Sequence, residues 1–222
     1  MATRRDGIES KKKLLAAASE VFALKGYREA TVAEICRRAG SNVAAVNYHF
    51  GSKDELYVAV WKNAFEQALS VYPPDGGLGP NAKPEERLRA LVHSLLHRIM
   101  DDGRLGHAGQ IVLREMADPT DAIAHVRRDV IRPLRERMQN IIRDLLGPGA
   151  SEQQLRFCQL SLIHQCLAIG FRKGKGRFPV LFPEQSTAKP LTDSLVEHIT
   201  RFSLAGIAAV RADIRSKECH TC

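Results

Sequence analysis

Hydrophobic residues recur every three or four positions along almost the whole chain, which is the spacing of amphipathic α-helices. No segment alternates between apolar and polar residues as a half-buried β-strand would. Over residues 10–25 the apolar positions share one helix face, and Gly26 supplies a typical C-terminal stop. That face comprises Leu14, Leu15, Ala18, Val21 and Phe22. The pattern predicts an all-α protein whose first helix ends near residue 25.

Two short helices around a tight turn are predicted next. Thr31 followed by Glu34 has the spacing of a capping box, which begins a helix that ends at Gly40. Asn42 can cap the following helix, over about residues 43–50. The tip of this second helix is too polar to be core. This layout is typical of a helix-turn-helix, so double-stranded DNA is the first partner to consider.

The remainder of the chain is also predicted to be helical. Ser52 caps a long fourth helix that ends before Pro73. Five further helices are predicted near residues 84–101, 106–117, 120–146, 151–171 and 190–214. The third of these contains Pro133, which is expected to kink or split it. We therefore predict a helix-turn-helix DNA-binding domain over residues 1–55, a larger helical domain over 56–215, and a flexible tail over 216–222.

The last two predicted helices are apolar around more than one face, and small residues cluster in the second. A helix that must cover two faces either lies at the centre of its own domain or pairs with another subunit. We interpret the two helices as a four-helix interface between two copies of the chain, with burial inside one chain as the alternative. The apolar positions are Leu155, Phe157, Cys158, Leu162, Ile163, Cys166, Leu167 and Phe171, then Leu191, Leu195, Ile199, Phe202, Leu204, Ala205, Gly206, Ala208 and Ala209.

Charge and composition support the DNA hypothesis. The net charge is +8, and residues 1–53 hold ten Lys or Arg against five acids, which places +5 in the first quarter of the chain. No run approaches the roughly 18 apolar residues needed to cross a bilayer, and no secretory signal follows the N-terminal arginines. The five cysteines are an odd number, which argues against a disulfide framework. We expect a cytoplasmic protein with reduced thiols and no membrane partner.

Side chains at the turn and on the second short helix are the candidate DNA contacts. Asn can pair with adenine, Val and Ala can touch thymine methyl groups, and Tyr and His more often reach phosphate. A Lys at the start of the fourth helix adds its charge to the helix N-terminus against a phosphate. The candidates are Thr31, Asn42, Val43, Ala45, Asn47, Tyr48, His49 and Lys53. A basic arm of Arg4, Arg5 and Lys11–Lys13 could follow the DNA backbone or enter the minor groove. The alternative is that all of these are surface residues of an ordinary helical hairpin.

Residues 10–60 resemble the N-terminal domain of the TetR family of transcriptional regulators. The matching elements are Ala16-Ala17, Phe22, Gly26-Tyr27, Thr31-Val-Ala-Glu-Ile, Ala39-Gly40, Tyr48-His49-Phe50, Lys53 and Leu56-Tyr57. The form Asn-Val-Ala-Ala-Val-Asn-Tyr-His-Phe is similar to the subgroup that contains the CecR regulator. Ser41-Asn42 and Ala44 depart from the usual Val-Ser pair and following Gly, and Asn47 stands where Tyr is common. Because these residues at the tip of the second short helix differ from the family pattern, the resemblance does not predict the operator sequence.

The resemblance implies an all-helical homodimer of about nine helices that binds a near-palindromic operator. It also implies a C-terminal domain with a pocket for an unknown small-molecule effector, and most often a repressor. The alternatives are an activator and a regulator that binds DNA without a ligand. An enzyme on a helical scaffold is disfavoured because no catalytic triad, phosphate loop or dinucleotide fingerprint is present, and no cofactor is predicted.

A ligand pocket is expected among the fourth to eighth helices. Large apolar residues there can form its walls, and polar residues can orient a ligand. The candidates are Trp61, Phe65, Leu96, His97, Met100, Gln110, Leu113, Arg114, His164 and Phe171. Plain core packing is the alternative for the large apolar members.

Three smaller signals are left without an assigned role. His93 and His97 have the spacing of two metal ligands on one helix face, but no third ligand is identifiable, so no metal is predicted. Cys219 and Cys222 have a chelating spacing, with a free thiol pair as the preferred interpretation. The basic segment 172–177 could hold an anion or simply be solvated.

Overall fold

A computed structural model of the protein describes residues 4–101, 103–174 and 189–219, and these ranges contain helices and turns but no strand. The predicted all-α fold is confirmed. Nine α-helices and one 3₁₀ turn occur within the described ranges: α1 (Arg4–Glu29), α2 (Val32–Ala39), α3 (Val43–Phe50), α4 (Lys53–Val71), α5 (Pro84–Ile99), α6 (His107–Ala117), the 3₁₀ turn (Asp121–Ile123), α7 (Ala124–Leu146), α8 (Glu152–Gly174) and α9 (Lys189–Cys219).

Most ends of the predicted helices agree closely with the observed ones. The last helix, α9, ends at Cys219 rather than near residue 214, so residues 216–219 of the predicted flexible tail are helical. Two further differences concern α1 and α7. First, α1 begins at Arg4 rather than near residue 10, and Gly26 interrupts its helical geometry with φ 75°. Second, α7 runs past Pro133 as one helix, so of the two predicted outcomes, a kink or a split, the split does not occur. A proline removes one backbone hydrogen bond, and the turns on either side of Pro133 continue the helix around that loss.

Two compact units divide the chain, one formed by Met1–Ser70 with Gly103–Val130 and the other by Val71–Asp102 with Ile131–Cys222. Nearly all of α4 and all of α6 belong to the first unit, together with α1–α3. This grouping differs from the domain boundary that we predict after residue 55. No helix within the described ranges is long and apolar enough to cross a membrane.

In the first unit α1 packs against α2, α3 and α6. Its core contains large side chains at most 1% exposed, namely Leu14, Val21, Phe22, Ile35, Val46, Leu56 and Trp61. Burial of such side chains contributes about 1.5–3 kcal/mol each. The short helices α2 and α3, only 8 residues each, therefore depend on this shared core for their stability.

In the second unit α5 packs against both α8 and α9, which also contact each other. The buried residues of this unit include Leu88, Leu91, Leu96, Ile141, Ile142, Leu155, Leu162 and Val196. Ion pairs flank the core: Arg87 contacts Asp144 at 2.7 Å, and Arg137 contacts Asp75 at 3.3 Å. The Asp75 pair anchors the loop after α4, where Asp75 also accepts a hydrogen bond from the Gly77 amide.

Candidate DNA-binding surface

The start of α2 is held by the predicted N-cap, but the capping box is only half formed. Thr31 Oγ1 accepts a hydrogen bond from the Glu34 amide at 3.2 Å. The Glu34 carboxylate contacts Lys25 of α1 at 2.6 Å and Arg38 at 3.4 Å instead of completing the box. These cations hold the pKa of Glu34 below its ordinary value, chiefly through the Lys25 hydrogen bond. The glutamate therefore joins α1 to α2, the helix that supports α3.

The turn between α2 and α3 has a geometry that fixes the angle between the two helices. Gly40 adopts φ 61° and ψ 38°, the left-handed conformation that glycine tolerates best. The Ser41 amide then donates to the Cys36 carbonyl at 2.9 Å, and Asn42 Oδ1 accepts from the Ala45 amide at 3.0 Å. Since the Asn42 oxygen caps α3, its amide NH₂ is the group left to donate to DNA.

The recognition surface, which we define as Asn42, Val43, Ala44, Asn47 and Tyr48, is exposed on α3 and at its cap. Tyr48 is 85% exposed and Val43 is 49% exposed, whereas Val46 on the opposite face is fully buried and anchors the helix. Exposed aromatic and apolar side chains on an anchored helix are typical of a binding surface. Ala44 was missed in the sequence analysis, although it lies three and four positions before Asn47 and Tyr48 and therefore shares their face.

The eight predicted DNA contacts differ in exposure. Thr31, like Asn42, Val43, Asn47 and Tyr48, is exposed, whereas Ala45, His49 and Lys53 are half-buried. His49 packs its ring against Tyr48, with ring centroids 5.0 Å apart. The first group has the access that base and phosphate contacts require, and these assignments stay predictions.

Lys53 is held at the start of α4 by Tyr27 of α1. Its Nζ lies 4.5 Å from the Tyr27 ring centroid, and burial lowers its pKa below the ordinary value. The Tyr27 hydroxyl in turn donates to the Asp54 carboxylate. A cation stacked on an aromatic ring has a restricted position, which favours a defined phosphate contact at the α4 N-terminus.

The predicted basic arm is part of α1, which begins at Arg4 and includes Lys11–Lys13, as the helix predicted over residues 10–25 implies. Its contact with the DNA backbone stays a prediction. Lys11 Nζ lies 5.5 Å from the Phe50 ring centroid, at the C-terminal end of α3. Exposed Arg37 adds charge at the end of α2. The side chains of Arg4 and Arg5 lie outside the described residues.

Removing the Asp54 carboxylate is expected to lower the pKa of Tyr27. The hydrogen bond to Asp54, with burial and the Asp54 charge as smaller causes, raises that pKa from 10.0 to about 12. Because the folded value is the higher one, the interaction stabilises the fold below pH 10 and is lost as the pH rises from 10 to about 12. In Asp54→Ala, ultraviolet titration of tyrosinate should show one residue ionising closer to pH 10.

Glu55→Ala, which removes the neighbouring exposed acid of the same helix turn, is the matched control for this titration. Equal tyrosinate curves for Asp54→Ala and the unaltered protein would contradict the assignment.

A buried carboxylate joins α4, α6 and α7 within the first unit. Glu115 of α6 is 1% exposed and accepts from the Tyr57 hydroxyl at 2.9 Å and from the Thr120 amide at 2.8 Å. Arg127 lies 2.5 Å away and balances its charge. The pKa of Tyr57 is raised by burial first and by Glu115 second. Tyr57 also packs edge-on against Phe22 of α1, with ring centroids 4.8 Å apart.

Next to this cluster, Arg114 joins α6 to α1. Its guanidinium donates to the Leu24 carbonyl at 2.9 Å, at the last turn before the Gly26 interruption. Arg114 was predicted to line the ligand pocket, and that assignment stays a prediction; its observed hydrogen bond is to α1. Glu115 was not singled out at all, since an acid within a short amphipathic helix usually faces solvent.

The other predicted pocket residues divide between the two units. In the first, Trp61 and Phe65 are buried and stacked with ring centroids 5.1 Å apart, Leu113 is half-buried and Gln110 is exposed. In the second, Leu96 and His97 are buried, Met100 is half-buried, and His164 is exposed with its Nδ1 2.9 Å from the Leu160 carbonyl.

The side chains of Phe171, of the basic segment 172–177 and of Cys219 and Cys222 lie outside the described residues. The prediction that the ten pocket candidates line one ligand pocket stays a prediction.

Comparison with known proteins identifies the family. Residues 14–60 match the family model of the tetR bacterial regulatory proteins, and residues 84–207 match the C-terminal domain of the HTH-type transcriptional dual regulator CecR. CecR of Shigella flexneri is 32% identical over 183 residues, which cover 76% of this chain and 78% of that protein.

Two further relatives extend the comparison. The HTH-type transcriptional activator FasR of Mycolicibacterium smegmatis is 36% identical over 96 residues, or 43% of each chain. The crystal structure of a TetR-like regulator from Rhodococcus sp. RHA1 shares the fold, with a TM-score of 0.64 at 20% identity over 90% of this chain and 96% of that one. The chain belongs to the TetR family of DNA-binding transcriptional regulators, in the group whose C-terminal domain is of the CecR type.

Proposed function

We propose that the protein is a homodimeric repressor that binds a near-palindromic operator and is released from it by a small-molecule ligand. The observation that carries the DNA-binding part is the anchored recognition surface, with Tyr48 85% exposed above fully buried Val46. A helix with this arrangement can enter a major groove without rearranging its own core. The charge of +5 over residues 1–53 favours approach to phosphate.

Exposed apolar residues on α8 and α9 support the dimer. Phe157 and Leu160 of α8 are 59% and 54% exposed, and Phe202 of α9 is 63% exposed. Ala205, Gly206 and Ala209 are exposed on the same part of α9, and a Cβ built on Gly206 meets nothing within 4 Å. Large and small apolar residues side by side allow two helices of a partner chain to pack closely. A two-fold dimer also suits operator half-sites about 34–36 Å apart.

Ligand release requires a path from the ligand to α1–α3, and α6 supplies one. Its Arg114 and Glu115 contact α1, α4 and α7 through the hydrogen bonds described above. A displacement of α6 would change the position of α1 and α4, and with them the recognition surface. Shifting the protein from mostly bound to mostly free needs a differential affinity of several kcal/mol between the two conformations.

One set of experiments tests both whether the protein represses or activates transcription and whether its DNA binding depends on a ligand. DNA upstream of the protein's own gene should give a sequence-specific gel shift, and a ligand that raises the melting temperature should abolish the shifted band. A ligand that strengthens the band while transcription rises would indicate an activator, as the names of the dual and activating relatives allow. A specific band that no member of a compound panel alters would favour a ligand-independent regulator.

The dimer is tested by Phe202→Glu. A charge on this face should convert the dimer to a monomer in analytical ultracentrifugation and abolish operator binding while leaving helix content unchanged. Asn63→Glu, which adds one charge at an exposed position of α4, is the matched control. A wild-type chain that is monomeric at micromolar concentration and still binds the full operator would refute the proposed dimer.

A further inference from the structure

A histidine pair on α5 faces α9 and belongs neither to the recognition surface nor to the exposed apolar residues of the proposed dimer. His93 and His97 are one helical turn apart, and their ring centroids lie 4.1 Å from each other. Residues four positions apart share a helix face, so both imidazoles are directed to the same side of α5. The pair has the spacing of two metal ligands, but two ligands alone do not make a site.

Asp193 of α9 lies beside the pair as a third candidate ligand, which no sequence spacing could reveal because it is 96 positions from His97. His97 Nε2 and Asp193 Oδ1 are 3.1 Å apart, and one donor atom from each of the three residues lies within 4.8 Å of the others. In a tetrahedral site with bonds of about 2.1 Å, donor atoms are roughly 3.4 Å apart. Small side-chain rotations therefore bring the three donors to ligand distance.

The backbone that carries these side chains is fixed on both helices. Arg89 and Glu197 pair at 3.6 Å, so α5 and α9 run antiparallel with His93 between this ion pair and the His97–Asp193 contact. His97 is 9% exposed and stacks on Tyr72 at a centroid distance of 5.5 Å. A ligand held by packing in this way loses little conformational entropy on binding an ion.

The donor set indicates the class of ion. Two imidazoles and one carboxylate favour Zn²⁺ and similar divalent transition metals, whereas Mg²⁺ and Ca²⁺ prefer sites made of oxygen ligands alone. Asp193 is 54% exposed at its side chain, which leaves room for water in a further coordination position. A hydrogen bond between His97 and Asp193 without any metal is the competing interpretation.

From this geometry we infer that His93, His97 and Asp193 form a binding site for a divalent transition-metal ion of the Zn²⁺ class. The ion would join α5 to the N-terminal part of α9 and stabilise the second unit. The inference does not rest on the operator, and it shares His97 with the residues that are predicted to line the effector pocket.

The test titrates ZnCl₂ and CoCl₂ into the full-length, metal-stripped protein in which Cys219 and Cys222 are replaced by serine, because that pair has a chelating spacing of its own. One equivalent per chain should bind, with a rise in melting temperature that grows with free Zn²⁺. The Co²⁺ form should show visible d–d bands without a thiolate charge-transfer band. MgCl₂ at the same concentration should produce no shift.

Three variants locate the ion. His93→Ala and Asp193→Asn should each weaken Zn²⁺ binding at least about 10- to 100-fold, since even partners that only orient a ligand contribute that much. His107→Ala removes an exposed histidine from α6 and should leave binding unchanged. Circular dichroism of the metal-free variants checks that each one folds. The proposal is overturned if the Cys219 and Cys222 double variant binds no Zn²⁺, or if His93→Ala and Asp193→Asn bind it as tightly as their parent.

Discussion

Replacing both Asn47 and Tyr48 by alanine is expected to weaken operator binding by roughly 100-fold or more and to leave the melting temperature almost unchanged. Both side chains are exposed, Tyr48 to 85%, so their removal takes little from the core. A good base contact contributes about 1–3 kcal/mol, and a dimer would lose each contact twice. Fluorescence anisotropy with labelled operator at one fixed salt concentration measures the change.

The matched control is Asn63→Ala, which removes the same amide from an exposed position on α4. It should bind the operator as tightly as the unaltered protein. Competition with unrelated DNA separates base contacts from phosphate contacts, because losing base contacts lowers specific binding more than non-specific binding. An unchanged dissociation constant for the double variant would show that the recognition surface does not contact the operator.

Glu115→Ala is expected to lower the free energy of unfolding by about 3 kcal/mol, because breaking a buried ion pair strands its remaining partners. The Thr120 amide, the Tyr57 hydroxyl and Arg127 would all lose their acceptor. Arg127 is 27% exposed and can recover some hydration, which places the cost at the lower end of the usual range. For a chain of this size the melting temperature should fall by roughly 6–12 °C.

Thermal unfolding followed by circular dichroism measures this change, and two further variants serve as comparisons. Glu115→Gln keeps the size and one acceptor oxygen, so it should lose less stability than Glu115→Ala. Glu66→Ala removes an exposed acid from α4 and should change the melting temperature by no more than about one degree. A Glu115→Ala protein as stable as the Glu66→Ala protein would exclude the network as a source of stability.

Local patterns predicted the helix positions well, because the interactions that begin and end a helix involve residues a few positions apart. Thr31, Asn42 and Ser52 each accept a hydrogen bond from a backbone amide three residues ahead, as their residue types indicate. Gly40 takes the left-handed conformation that a turn after α2 requires. Exposure on α3 follows from its 3.6-residue period, once Val46 is known to be buried.

Errors arose where a residue had a partner distant in sequence. Glu34 contacts Lys25 instead of completing the capping box, because α1 passes close to α2. Arg114, whose place in a ligand pocket stays a prediction, donates to the Leu24 carbonyl, 90 positions away. The first helix was predicted over residues 10–25, and α1 instead begins at Arg4. In the first two cases the residue type allowed either partner, and the packing of helices selected one.

The amino-acid order on its own determined the nine helices of the described ranges, the helix-turn-helix and the polar face of α3. All of these depend on short-range hydrogen bonds and on apolar periodicity. Only the tertiary structure decided that Glu115 lies in the core and that Asp193 completes a cluster with His93 and His97. The sequence around a charged residue looks the same whether its side chain contacts water or a residue of a distant helix. The distances and angles between packed helices, which no local pattern specifies, make that choice.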